Sequence, residues 1–239
     1  MEVVDIKRDL APTGVLRASI NLGNPVLAQG TATAPSGVTV DIARELGARL
    51  ELPVELRCFE AARESFEAMQ RDQADICFLA VEPAREEAVA FTSPYVVIEG
   101  VFAVPEASSI IGLRDVDRPG VRVGVKQGSA YDLYLSRTLV HAVVVRGHEG
   151  VTVFLEEELE VAAGIRQPIE QFAATHPGIR LVEPRFMEIR QALGTTRSRS
   201  DATVRYLRSF IEELKTTGFV ADALRHAGRS DATVAPPAD

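Results

Sequence analysis

The sequence predicts an α/β protein with parallel sheets. Short apolar runs suited to strands alternate along the chain with segments of helical periodicity, the pattern of strand-helix-strand units. One run, Ile76-Cys77-Phe78-Leu79-Ala80, is continuously apolar, as a strand covered on both faces has to be. A polar stretch over residues 105–119 interrupts the alternation and points to two sheets rather than one.

The first set opens with the apolar run 16–20, which ends at the turn-forming cluster Asn21-Leu22-Gly23-Asn24-Pro25. Residues 29–37 read as a flexible stretch. Val38, Val40, Ile42, Ala43, Leu46 and Leu50 then recur at helical spacing, and 52–58 reads as the next strand. A helix over 61–71 with Phe66 and Met69 on one face precedes the strand 76–80. Glu82-Pro83 has the form of a helix start, with Pro at the first helical position. Residues 98–104 form a further strand. The second set contains strand 121–125, a helix opened by Gly128-Ser129, strand 142–145, a helix near 151–157 and strand 160–163. Val204, Leu207, Phe210, Ile211 and Leu214 define a strong amphipathic helix, and a shorter one follows near 220–226. The small, polar tail 228–239 reads as frayed.

Composition narrows the function. The 239 residues are 46% hydrophobic and 25% charged, as in an ordinary globular protein. With 34 acidic and 26 basic side chains the formal charge is -8, the wrong sign for a nucleic-acid or anionic-membrane footprint. No apolar stretch approaches the ~20 residues of a membrane span. Cys58 and Cys77 sit in apolar runs outside any metal-ligand spacing and read as packed free thiols; the four histidines are scattered, so neither metal nor cofactor is expected. The start, Met1-Glu2-Val3-Val4-Asp5-Ile6-Lys7-Arg8, has acids where a secretory signal is basic, so the chain as written is expected to stay in the cytoplasm unless it is a mature form.

Between Asp75 and Tyr95 an Asp-containing strand leads to Arg85 and then to Phe91-Thr92-Ser93-Pro94-Tyr95. This resembles the signature of the family 3 bacterial solute-binding proteins, the polar amino-acid-binding branch of type II periplasmic binding proteins. Val123-Gly124-Val125-Lys126-Gln127-Gly128-Ser129 is similar to a second family segment, and residues 203–228 to its closing helices. The resemblance implies two α/β lobes with mixed sheets, 1–103 plus 195–239 and 104–194. It implies a two-strand hinge joining them and a ligand in the cleft between. It implies that Arg85 clamps a ligand carboxylate, for which a guanidinium fork supplies two parallel charge-assisted hydrogen bonds. Backbone N–H groups at Gly128-Ser129 are expected to meet the same carboxylate at a helix N-terminus.

The departures from the family pattern carry information about the ligand. Amino-acid binders commonly hold two carboxylates near the ligand ammonium, with hydroxyl or small residues after the Asp-containing strand; the carboxylate positions align with Asn21 and Ile165, and the others with the Cys77, Phe78 and Ala80 group. None is anionic. An ammonium buried there without a partner loses hydration, so a carboxylate ligand without a free α-amine is expected. Asn24, beside Asn21, joins the candidate contacts. Lys126 and Arg166 are candidates for a second anionic group, with Phe78, Tyr131 and Val26 as apolar walls and Gln191 as a ligand or hinge contact. The expected role is a monomeric, non-enzymatic solute-binding component of an ABC transporter with its permease as partner. The rival classes are a ligand sensor of the same fold and a lyase like cyclohexadienyl dehydratase, for which Glu82, Asp132 and Lys126 are the candidate acids and bases.

Overall fold

The computed structural model describes residues 3–238; Met1, Glu2 and Asp239, and with them part of the charged start and of the tail, lie outside the described residues. Two compact units are formed, one from residues up to Val97 and from Arg190 onward, the other from Ile98–Ile189. The chain passes between them inside two long strands, a few residues ahead of the boundaries read from the sequence. No turn marks either passage.

The first unit begins with α1 (Val3–Leu10), β1 (Leu16–Asn21), the hairpin β2 (Gln29–Thr31) and β3 (Ala34–Ser36), and α2 (Val38–Arg49). It continues through β4 (Val54–Phe59), α3 (Ala62–Gln70), β5 (Ile76–Ala80) and α4 (Pro83–Glu86), then leaves along β6 (Val89–Pro105). The second unit holds α5 (Leu113–Val116), β7 (Arg122–Lys126), α6 (Ala130–Thr138), β8 (Val143–Gly147), α7 (Gly150–Glu156), β9 (Val161–Ile165) and α8 (Arg166–Thr175). The strand β10 (Ile179–Thr196) returns to the first unit, which closes with α9 (Asp201–Thr216), α10 (Phe219–His226) and β11 (Thr233–Val234).

Each unit has three parallel strands and an antiparallel one. In the first, β1 lies between β4 and β5 in parallel register, and β10 runs antiparallel to β5, with Gln191 opposite Ala80. In the second, β7 lies between β8 and β9, and β6 is antiparallel to β9. The continuous apolar run of β5 is explained by its place inside the first sheet: all five of its residues are buried. Gly194 on β10 is required by crowding, because a Cβ there would stand 2.4 Å from Val89 Cγ1.

Three sequence expectations are corrected. Residues 29–37 are not merely flexible, since 29–31 pairs with 34–36 as a hairpin. The tail is held rather than frayed: Thr233 and Val234 pair with Val97 and Val96, Lys215 Nζ donates to the Pro236 carbonyl, and Ala238 N donates to Glu212. Helices α1 and α8 were not foreseen: α1 spans only eight residues, little more than two turns, and α8 buries only Ile169 and Phe172, too narrow a face to mark a helix by spacing.

The first unit is tied together by one carboxylate. Asp75, at the entrance to β5, is fully buried and accepts from Arg17 N at 2.9 Å, Arg17 Nε at 3.0 Å, Arg17 Nη2 at 2.7 Å and Arg199 Nη2 at 3.3 Å. The Asp75 pairing is the leading cause that raises the Arg17 guanidinium above its ordinary value. Thr195 Oγ1 donates to the Asp75 carbonyl at 2.8 Å, so β1, β5, β10 and the lead into α9 converge there. A second carboxylate, Asp9 on α1, accepts from Ser200 N, Ser200 Oγ and Thr203 Oγ1 and fastens α1 to the start of α9. Asp75→Ala should therefore destabilise the first unit by roughly 3 to 5 kcal/mol, as expected when one side of a buried pair is removed. Denaturant unfolding should read this as a lower midpoint, and a midpoint unchanged from the parent protein would contradict the assignment.

Candidate functional site

In the first unit the candidate residues gather at the carboxyl ends of the parallel strands, where open α/β sheets bind ligands. Chain leaving β5 turns at Val81 and Glu82 into α4, with Pro83 at the first helical position. This turn folds Arg85 back over the end of its own strand: Nη1 donates to the Ala80 carbonyl at 3.1 Å, and the side chain is almost wholly enclosed, with 2% of its surface exposed. Burial pushes the guanidinium down to about 10, an effect opposed by the neighbouring Glu82 carboxylate. Glu82 is itself 3% exposed. An anion brought to Arg85 would favour its charged form, the reverse of the effect of burial.

Asn21 ends β1, and its Oδ1 accepts from Gly23 N at 3.1 Å; Asn24 Oδ1 accepts from Val26 N at 3.3 Å while the Asn24 carbonyl accepts from Leu27 N and Ala28 N. Both asparagines thus shape the loop after β1. Phe78 and Val26 are buried, and Phe78 meets Tyr95 edge-on at 6.1 Å between centroids. Burial pushes the Cys77 thiol up to about 12, so it is inert as a nucleophile near neutral pH. Ala80 and Gln191 are likewise buried, facing one another across β5 and β10.

In the second unit β7 ends at Lys126, and Gly128 takes the left-handed conformation, φ 71°, that lets the chain turn into α6. Ser129 is the N-cap, with Oγ accepting from Asp132 N at 3.0 Å. The expectation for the two loop N–H groups is modified: Gly128 N donates to Asp132 Oδ2 at 2.8 Å and Ser129 N to the Lys126 carbonyl at 3.1 Å. The helix donors ahead of the first intrahelical bond are then those of Ala130 and Tyr131. Asp132, read as a possible catalytic acid, is 3% exposed and also accepts from Arg146 Nε at 3.0 and 3.1 Å and from Ser136 Oγ. That set of partners makes it the brace of the loop.

The two cations expected to receive a second anionic group both face acids of their own unit. Lys126 is 7% exposed and pairs with Glu149. Ile165 is the N-cap of α8, and Arg166, its first residue, pairs with Glu99, donates to both Glu183 oxygens at 2.7 and 2.9 Å and reaches Glu170 at 3.4 Å; these bonds, led by Glu183, push its guanidinium up. Glu149, Glu99 and Glu183 were missed in the sequence. They lie 23, 67 and 17 residues from their partners, separations at which no helical or strand spacing signals a contact. Among the described residues no group of three or more His, Cys, Asp or Glu side chains is placed to hold a metal ion.

With this geometry in place, the comparisons with known proteins can be read. The sequence profile of the bacterial extracellular solute-binding proteins, family 3, matches residues 21–226, and the chain belongs to that family. No curated protein matches it by sequence. Among solved structures it is similar to a variant of ArgBP from T. maritima, at 17% identity and TM-score 0.75, covering 95% of this chain and 99% of that one. It is also similar to AbpA, an amino acid ABC transporter substrate-binding protein from Streptococcus pneumoniae bound to L-arginine, at 14% identity and TM-score 0.75, covering 92% and 97%. The third is AncCDT-1, an ancestral amino-acid-binding protein and precursor of cyclohexadienyl dehydratase, at 16% identity and TM-score 0.75, covering 94% and 97%. At such identities the likeness is one of fold, the type II periplasmic binding protein fold. No helix among the described residues is long and apolar enough to cross a membrane.

Because Asp132 braces the loop rather than reacting, Asp132→Ala should lower the unfolding midpoint of the second unit, with a cost of about 2 to 4 kcal/mol from the unpaired Gly128 N–H and Arg146. Thermal unfolding monitored by circular dichroism is the check. Parent-like stability would return Asp132 to the list of candidate reacting groups.

Proposed function

We propose that the protein captures a small carboxylate-bearing solute and serves as the substrate-binding component of an ABC transporter, with the permease as its partner. The observation that carries this is Arg85: a guanidinium enclosed at the carboxyl end of a buried parallel strand, in a member of a solute-binding family. A ligand carboxylate suits this guanidinium, since its two oxygens match the geometry of the fork with parallel charge-assisted hydrogen bonds. In the second unit the entrance of α6 offers a further carboxylate-binding element, with the helix N–H groups of Ala130 and Tyr131 as donors. The neighbours in fold whose descriptions name amino acids support an amino-acid-sized ligand.

The role is one of binding rather than catalysis. Of the groups that a lyase would need, Asp132 is engaged as a loop brace, Lys126 is paired with Glu149, and Glu82 lies beside Arg85, where its charge supports that of the guanidinium. The same fold also hosts enzyme lineages, and assay of the purified protein for carboxylic-acid dehydration tests this point; turnover would overturn the binding-only reading.

A thermal-shift panel of carboxylic and amino acids identifies the ligand, since a tight ligand raises stability by RT ln(1 + [L]/Kd). For the acid so found, Arg85→Ala should weaken binding by roughly 2 to 5 kcal/mol in calorimetry, the range for truncating one side of a buried charged contact. Arg85→Lys should recover only part, having lost the bidentate fork. A dissociation constant equal to that of the parent would remove Arg85 from the site.

The second expectation concerns the missing acids. Asn21 and Ile165 are neutral, and the acids around Arg166 are already paired with it, so a des-amino acid should bind at least as tightly as the matching α-amino acid. Paired calorimetric titrations decide the matter. A tenfold preference for the amino acid, about 1.4 kcal/mol, would show that another carboxylate, Glu82 first, holds the ammonium.

A further inference from the structure

Near Asp75 at the amino end of β5, and against Ala90 at the start of β6, lies a recess of about 320 Å³ that Arg85 does not line. Four arginines line it: Arg197 and Arg199 from the segment joining β10 to α9, and Arg205 and Arg208 from the first turns of α9. Asp201 is the one acid in the lining. In a chain of formal charge -8, this gathering of guanidinium groups runs against the overall balance.

The four are not equivalent. Arg199 is largely enclosed, with 12% of its side chain exposed; one arm of its fork is held by Asp75, while its Nε is buried with no hydrogen-bond partner. Arg197 is fixed from behind, its Nε donating to the Glu86 carbonyl and its N to the Ala88 carbonyl. Arg205 and Arg208 are exposed, three residues apart on one helix, and among the described residues neither forms an ion pair or a side-chain hydrogen bond. Like charges at that spacing repel and weaken the helix slightly, a cost that an anion between them removes. Two arginines anchored by the fold and two with unused donors thus surround one cavity.

We propose that this recess binds a phosphate-class oxyanion, either free in solution or as the headgroup of an anionic lipid. Planar forks of N–H donors suit the several oxygens of a phosphate group, and a concave wall lets more than one fork reach it. Of the acids nearby, Asp75 is shared between Arg17 and Arg199 and Asp9 is occupied by Ser200 and Thr203, so the four guanidinium groups of the lining outnumber its one acid, Asp201, and favour an anion with several oxygens. Binding here is separate from capture of a carboxylate at Arg85.

The test uses the full chain and inorganic pyrophosphate as the probe, titrated by calorimetry at low ionic strength, where exposed charges are least screened. Pyrophosphate should bind the parent protein and an Arg85→Ala variant alike. The double variant R205Q/R208Q should bind at least tenfold more weakly, while a charge-matched control on α3 and its C-cap, R63Q/R71Q, should bind as the parent does. No heat of binding to the parent, or equal weakening in the two double variants, would overturn the proposal. Sedimentation with phosphatidylglycerol vesicles, against phosphatidylcholine vesicles, separates the sources. Retention that R205Q/R208Q abolishes assigns a lipid headgroup, and pyrophosphate binding without retention assigns a free anion.

Discussion

The buried carboxylate of Asp75 is the constraint on which the first unit depends. It sits where β5 begins, takes the backbone N–H and the guanidinium of Arg17 on β1, and reaches Arg199 after β10. Three segments far apart in sequence are thereby held in one register. An acid so enclosed is stable only because two cations and a backbone donor answer it, and each of those cations keeps its place because the acid is there. The strand it begins carries the candidate residues Cys77, Phe78 and Ala80 and ends beneath Arg85. Rigidity at one end of β5 becomes position at the other.

The same economy of polar contacts recurs in the second unit, with a different carboxylate. Asp132, in the first turn of α6, gathers Gly128 N, Ser136 Oγ and Arg146 and so sets the path of the Gly128-Ser129 loop. In both units a helix entrance or turn following a parallel strand is built by charged hydrogen bonds inside the unit. At the first of these turns stands the enclosed Arg85, and at the second the first-turn backbone donors of α6.

Cations are abundant around the candidate residues, yet most are already matched. Lys126 is paired with Glu149 and Arg166 with Glu99, Glu183 and Glu170. Counting positive side chains near strand ends overstates the capacity of the site for anions, because only a charge without an internal partner has much to gain from a ligand. By that measure the arginines lining the recess beside α9 are the more unusual group, with donors left over in a protein whose net charge is negative.

Much of the fold was legible without coordinates. The continuous apolar run of β5, the helical spacing of α2 and α9, and Pro83 at a helix start are local signals, carried by residues within one or two turns of each other. The motif around Arg85 and the Gly128-Ser129 turn likewise lie in short segments, so the family and the approximate places of the candidate residues could be read from the chain. What the sequence left open were facts that depend on distant residues. The tail is anchored because β6 has an edge for Val234 and Glu212 stands near Ala238; α8 forms with a narrow apolar face because the core of its unit receives Ile169 and Phe172. The partners of Asp75, Lys126 and Arg166 were also hidden, since an ion pair needs only that two side chains meet in space. Local periodicity records what each segment must bury, whereas charge pairing is decided only when the segments have been brought together.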